Sequence, residues 1–327
     1  MNHSNRRAAC LVAAFLALGL AASGALAQAW PAKPVTLVVG TPAGGAVDAY
    51  ARAFAEQLGK QTGGTFLIEN KPGANGNISA EAVLHAPADG ATLWIGTQSM
   101  VTINPSAYDR LRWKPSDFKP IVKGVEAPLV LVTHPSVPAR TLSELAAWAK
   151  ANPQKAAYAS FSPGTPSQFL GFQLNELLKL DMVHIPYKGS APQVTDLVGG
   201  QVLLGFTQIQ TSIQHIKAGK LHAIAVTSAQ RSRFLPQVPT LHELGYPALD
   251  TTIWFGLFAP AATPAPLLDA IGAAAVKAQA DPGYRAKLEQ QGFDVPTESG
   301  AAFAASIAQE SARWAKLVKA TGFKAND

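Results

Sequence analysis

Residues 43–48, Ala-Gly-Gly-Ala-Val-Asp, stand between an apolar run at Val35 to Val39 and a helical pattern that opens near Ala49. A strand that feeds a glycine pair and then a helix start presents unpaired backbone N–H groups and the positive end of a helix dipole. Such a corner binds anions. Many strand-to-helix turns carry glycine only to make the bend, so the motif alone leaves both readings open. A second stretch, Ser160-Phe161-Ser162-Pro163-Gly164-Thr165-Pro166-Ser167, follows a strand pattern and precedes the helical pattern of Phe169–Leu178. It offers hydroxyl and N–H donors without a fixed charge.

Residues 160–164 are also a near miss to the nucleophile elbow G-x-S-x-G, but Ser160 replaces the first glycine and a proline follows Ser162 directly. A hydrolase is therefore not the expected reading. The histidines at 85, 134, 184, 215, 222 and 242 never fall at metal-binding helical spacing, and His184 lies in a strand run as a core residue would. No P-loop is present, and the glycines of 71–77 do not spell a dinucleotide fingerprint. The expectation is a protein with no catalytic residues, no metal and no cofactor.

Arg6 and Arg7 precede an apolar stretch from Ala8 to Ala22, and Ser23-Gly24-Ala25-Leu26-Ala27 supplies a small-residue cleavage site. These are the parts of a secretory signal peptide over 1–27, which predicts an exported, periplasmic chain that starts at Gln28. The apolar core is shorter than the roughly 20 residues that span a bilayer, and direct membrane insertion is not expected. Cys10, the one cysteine, lies inside that leader, so the remainder uses neither disulfide nor thiolate chemistry. The formal charge of +6 includes both leader arginines; 25 basic residues then face 21 acidic ones. That surplus is scattered, with no Lys/Arg run or aromatic interleaving, which argues against nucleic acid.

Positioning the two loops requires alternating elements, and the pattern supplies them. Strand-like runs at Val35–Val39, Phe66–Glu69, Thr92–Gly96, Leu129–Thr133, Ala156–Ser160, Val183–Pro186, Val202–Thr207 and Ile224–Thr227 are interleaved with helical patterns at 47–60, 77–86, 141–152, 167–179, 190–199 and 211–218. This is an α/β chain whose strands pair in parallel, with ligands bound beyond the strands' carboxyl ends. Thr141-Leu-Ser-Glu144 is a capping box for one helix, and Asn152-Pro153 stops it. After Pro260 the pattern turns to long helices that begin near Pro264, at Asp281-Pro282 and at Ser299-Gly300.

An ordered series of segments then carries a resemblance. Gly44-Gly45-Ala46-Val47-Asp48 with Ala51-Arg52, Glu69-Asn70-Lys71-Pro72-Gly73-Ala74-Asn75-Gly76, Asp89-Gly90-Ala91-Thr92-Leu93, Pro186-Tyr187-Lys188-Gly189-Ser190-Ala191-Pro192, Gly199-Gly200-Gln201-Val202 and Pro239-Thr240-Leu241-His242-Glu243-Leu244-Gly245-Tyr246 resemble the solute-binding receptors of tripartite tricarboxylate transporters, the Bug type. The likeness runs from Trp30 to Trp314. It implies a two-lobed periplasmic binding protein, of the Venus-flytrap kind, with a parallel-rich sheet flanked by helices in each lobe. Such a receptor closes on a small organic carboxylate and delivers it to integral membrane permease subunits. Crossings near Ala127–Val130 and Thr251–Phe255 would make 28–128 plus 254–327 the first lobe and 129–253 the second.

Carried over residue by residue, the resemblance implies a ligand site of Thr41, Gly44, Gly45 and Asp48 in one lobe, facing Ser160, Ser162, Gly164, Thr165 and Gln168 in the other. Thr97, Gln98 and Ser99 follow a strand of the first lobe and are read as cleft wall. Phe161, Tyr187, Phe206 and Trp254 are the candidates for an apolar wall, with core packing as their alternative. Asp48, three residues after Gly45, is read as capping the first turn or as meeting an ammonium group on the ligand. The family often has an aromatic residue at the position of Thr41 and a histidine at that of Gln168. These departures bear on which acid is bound, not on the amide platform. A receptor of this kind can also present its closed state to a sensor kinase. A monomer is the expected state.

Overall fold

The computed structural model describes residues 30–325, so the leader at 1–27 lies outside the described residues. Nine strands join into one continuous sheet in the order β2, β1, β3, β9, β4, β7, β5, β6, with β8 on β4. They are β1 Val35–Val39, β2 Phe66–Asn70, β3 Thr92–Thr97, β4 Phe118–Thr133, β5 Ala157–Ser160, β6 Val183–Pro186, β7 Leu204–Gln208, β8 His222–Val226 and β9 Thr252–Pro260. The outer strands pair in parallel, β1 with β2 and β3, and β5 with β6 and β7. The middle is antiparallel, because β4 and β9 run along the sheet in opposite senses.

The strand patterns read from the sequence recur, with β7 starting two residues later and β8 two residues earlier than read. Two strand segments were not foreseen at their full length. β4 begins at Phe118, not at Leu129, and β9 runs nine residues to Pro260. Both are buried nearly throughout. A strand buried on both faces loses the alternation that announces a half-buried one, and the prolines at 120 and 128 disguise β4 further.

β4 changes partners along its length: Phe118 to Pro128 lies against β9, and Leu129 to Thr133 lies between β7 and β8. Thr227, fully buried, stands at this exchange. Its Oγ1 accepts from Leu129 N (2.9 Å) and donates to Thr251 O (2.8 Å), tying the two strands that connect the halves of the sheet.

Ten helices cover the faces of this sheet among the described residues. They are α1 Ala46–Thr62, α2 Asn77–Leu84, α3 Asn104–Ala107, α4 Leu142–Ala151, α5 Pro166–Leu178, α6 Ser190–Val198, α7 Ile209–Lys217, α8 Ala265–Ala280, α9 Pro282–Gln290 and α10 Gly300–Thr321. The capping box of α4 forms as read, Thr141 accepting from Glu144 N and Glu144 from Thr141 N. α1 buries Tyr50, Phe54 and Leu58, the i, i+4 stripe seen in the sequence, against the sheet. Tyr50 comes so close to β4 that a Cβ on Gly124 would lie 1.8 Å from its hydroxyl, so only glycine fits there. No helix of the described residues is long and apolar enough to cross a membrane.

Candidate functional site

A cavity of about 860 Å³ opens where the carboxyl ends of the strands from both halves of the sheet face each other. That is where strand-to-helix turns bring helix N-termini together. On one side the wall is the start of α1, residues Gly45, Ala46 and Val47. Gly45 is its N-cap, no side chain caps the turn, and the first amides have no intrahelical acceptor. Opposite stands the start of α6, where Lys188, Gly189, Ser190 and Ala191 line the cavity. Gly189 takes φ 123°, which glycine alone adopts freely, and again no side chain caps the helix. A Cβ placed on Gly45 would come within 3.9 Å of Ser190 Oγ, so the two N-termini face each other across a narrow gap.

Of the residues singled out in the sequence, Thr41, Gly45, Thr97, Ser99, Ser162, Thr165 and Tyr187 line this cavity. Gly44, Asp48, Ser160, Gly164 and Gln168 do not line it, and Gly44 is exposed. Asp48 accepts from Gly44 N (3.0 Å), Arg52 Nε (2.9 Å) and Asn70 Nδ2 (3.1 Å). Burial alone would push its carboxyl up, but these donors bring it below the ordinary carboxylate range. Both oxygens are thus committed to shaping the turn in front of α1.

Apart from Ser162 Oγ, which reaches across to Asn75, the loop after β5 spends its donors on itself. Gly164 N donates to Gln168 Oε1 (2.7 Å) and Thr165 Oγ1 to Ser162 O (2.6 Å), while α5 opens on Pro166, which has no N–H. The amide terminus that faces α1 therefore comes from the turn after β6. Its segment, 186–192, was visible in the sequence as a motif, but only Tyr187 was drawn from it. Tyr187 directs its hydroxyl to Asp196 Oδ2 (2.9 Å), leaving the ring against the cavity. Phe161 and Trp254 also contribute wall, whereas Phe206 is fully buried in the core.

Two further residues were missed. Asn75, in a left-handed conformation at φ 48°, accepts from Ser162 Oγ (3.3 Å) across the cleft. The glycines on either side of Ala74-Asn75 were its signal. Gln208 closes β7 on the cavity floor. Nothing in the apolar run before it marks it.

Gln98 is held from behind. Its Nε2 donates to Thr252 O (2.9 Å) and to Glu310 Oε2 (2.7 Å), and Trp254 Nε1 donates to the same carboxylate (3.0 Å). Burial raises the Glu310 carboxyl above its ordinary value, and these two neutral donors only partly offset it. The floor of the cavity is thereby tied to α10.

Ser160 Oγ and His184 Nε2 lie 2.7 Å apart, a spacing seen in nucleophilic dyads. Ser160 is fully buried, however, and no substrate reaches its hydroxyl. The pair instead clamps β5 to β6. Burial pulls the His184 imidazole down to about 4, so the unfolded ring binds a proton between roughly pH 6.5 and 4 that the native ring refuses. The corresponding stability is complete above the unfolded value and is lost as pH falls toward 4. Allowing for partial exposure it amounts to about 2 kcal/mol. Melting temperature recorded from pH 7 to 4 is expected to fall more steeply for the native protein than for His184→Gln; parallel curves would contradict this.

Among the described residues no group of three or more His, Cys, Asp and Glu side chains is placed to hold a metal ion. The cavity offers backbone amides, hydroxyls and carboxamides, with Lys188 and Lys324 also in its lining.

Known proteins share this architecture. The model of the tripartite tricarboxylate transporter family receptor, TctC, matches residues 50–323. Protein BugT of Bordetella pertussis is 32% identical over 322 residues, 97% of this chain and 98% of its own. The periplasmic binding protein BugD superposes with a TM-score of 0.83 at 35% identity, covering 90% of this chain and 99% of that one. Rpa4515 of R. palustris, solved with adipate, superposes at 0.85 and 31% identity over 90% of this chain and 99% of that one. MatC of Rhodopseudomonas palustris, solved with malate, does so at 0.81 and 31% over 88% of this chain and 100% of that one. The chain belongs to the tripartite tricarboxylate transporter receptor family, TctC, the Bug proteins.

Proposed function

We propose that this protein is a periplasmic receptor that captures a small carboxylate between the N-termini of α1 and α6, closes on it by a hinge, and hands it to the membrane subunits of a tripartite transporter. The observation that carries the reading is the pair of uncapped helix starts, Gly45–Val47 and Ser190–Ala191, facing each other over one cavity. Two converging dipoles and sets of amide donors favour an anion without any arginine. Adipate and malate in the related Rpa4515 and MatC are acids of this kind.

The lobes are 28–128 with 254–327, and 129–253. In support, β4 changes partners at Pro128 and Leu129, and Thr227 ties both crossing strands there. Contacts between the lobes beside the cavity favour the closed form: Phe169 of α5 packs against Trp314 and against Phe323, which also lines the cavity, with ring centroids 5.9 and 5.6 Å away. A ligand touching both lobes shifts the population further toward closure. Affinity is expected to be micromolar or tighter, about −8 kcal/mol.

A thermal-shift screen of small carboxylates, each paired with its neutral amide, tests this. A ligand at 100 times its dissociation constant adds about 2.7 kcal/mol, which raises the midpoint by several degrees. Shifts by acids and not by amides are expected. Equal shifts by both members of every pair, or none after refolding to strip bound ligand, would overturn the proposal.

A further inference from the structure

The cavity floor carries a polar side chain that no part of the fold uses. Gln208 is 6% exposed and lines the cavity at the end of β7. Its backbone carbonyl accepts from Thr211 Oγ1 and Ser212 Oγ, which fixes the residue as the N-cap of α7. Its carboxamide, by contrast, has no hydrogen-bond partner among the described residues at either Oε1 or Nε2. Ser99, also 6% exposed and lining the same cavity, has an equally unpartnered hydroxyl. The neighbouring amide of Gln98 is half used: both hydrogens of its Nε2 are given to Thr252 O and Glu310, while its Oε1, like the hydroxyl of Thr41, has no partner among the described residues.

A buried carboxamide left without partners is costly, and water satisfies it only until a ligand displaces that water. An apolar ligand segment seated on Gln208 would leave a donor and an acceptor unmet. A carboxylate would meet Nε2 but not Oε1, because an ionised carboxyl only accepts. A hydroxyl does both. We infer that Gln208 is a specificity-determining residue that receives a hydroxyl group of the ligand, so the preferred solute is a hydroxycarboxylate.

This rests on the receptor reading above: the carboxylate sits at the helix N-termini and the hydroxyl at the floor. The site discriminates by leaving its own groups unpaired when the hydroxyl is missing, the stronger of the two ways to select a polar substituent. A ligand held at once by Gln208 and by the start of α1 touches both lobes, so the hydroxyl contact also favours closure.

Titration calorimetry on the purified protein tests the inference with acids that differ by one hydroxyl: lactate and propionate, malate and succinate, 4-hydroxybenzoate and benzoate. The quantity read is the ratio of dissociation constants within a pair. For the pair that fits, the hydroxy acid is expected to bind about tenfold tighter. In Gln208→Leu that preference is expected to fall to about one. Gln208→Asn, which keeps the amide but withdraws it from the floor, guards against a repacked leucine variant and should lose most of the preference. Equal binding within every pair, or a preference that survives both substitutions, would overturn the role of Gln208 while leaving the receptor reading intact. No binding by any carboxylate to the native protein would overturn the receptor reading itself, and this inference with it.

Discussion

Gly45→Ala is expected to weaken carboxylate binding by about a hundredfold, the loss of one or two charge-assisted hydrogen bonds, while leaving the fold standing. The backbone there, φ −85° and ψ 175°, suits alanine as well as glycine. An added Cβ meets nothing nearer than Pro42 O at 3.8 Å and Ser190 Oγ at 3.9 Å. The poorer cap made by alanine and the lower entropy of its unfolded chain nearly cancel, each being about 1 kcal/mol or less. What changes is the gap between α1 and α6. The methyl group occupies the space in which the carboxylate must approach Ala46 N and Val47 N on one side and Ser190 on the other. A variant with an unchanged melting temperature and a hundredfold larger dissociation constant is the expected pair of results. Full affinity in Gly45→Ala would place the carboxylate elsewhere in the cavity.

Lys123→Met is expected to cost about 2 to 3 kcal/mol of stability, at or just below the bottom of the range for breaking a fully buried ion pair. Lys123 is buried in β4, with Nζ 2.6 Å from Glu126 and 3.2 Å from Glu298. Both carboxylates keep some solvent, which limits the penalty for losing their partner. Burial alone would lower the Lys123 ammonium, but Glu126 and Glu298 more than offset it and hold it above its ordinary value. The sign follows: its contribution is complete below the unfolded lysine value and is lost as pH rises through the native one. Native protein should therefore lose melting temperature faster than Lys123→Met as pH rises above about 10. Because Glu126 lies two residues before Pro128, the variant also probes whether this charge cluster stiffens the strand that enters the crossing.

Much of the fold was legible in the sequence because its signals are local. The capping box at Thr141 and the buried stripe of α1 each depend on a few neighbouring residues, and both formed as read. The central antiparallel pair was harder, because β4 and β9 are buried on both faces and carry no alternation. The α1 corner was legible for a similar reason: the glycine pair sits between a strand pattern and a helix pattern. The opposite wall was not, since Ser160 and Gln168 have the right chemistry but spend it on Ser162 O, His184 and Gly164 N. Whether a hydroxyl or an amide faces a ligand depends on partners brought near by the fold. Gln98 illustrates this, its amide being fixed by Glu310, 212 positions along the chain.

The most direct test of the account is a crystal structure with the acid that gives the largest thermal shift. The carboxylate is expected between the two helix starts, with oxygens within hydrogen-bond distance of Ala46 N or Val47 N and of Ser190 N or Ala191 N, and both lobes in contact with the ligand. A carboxylate group at the floor beside Gln208 with those amides facing solvent, or an acid held by one lobe alone, would contradict it.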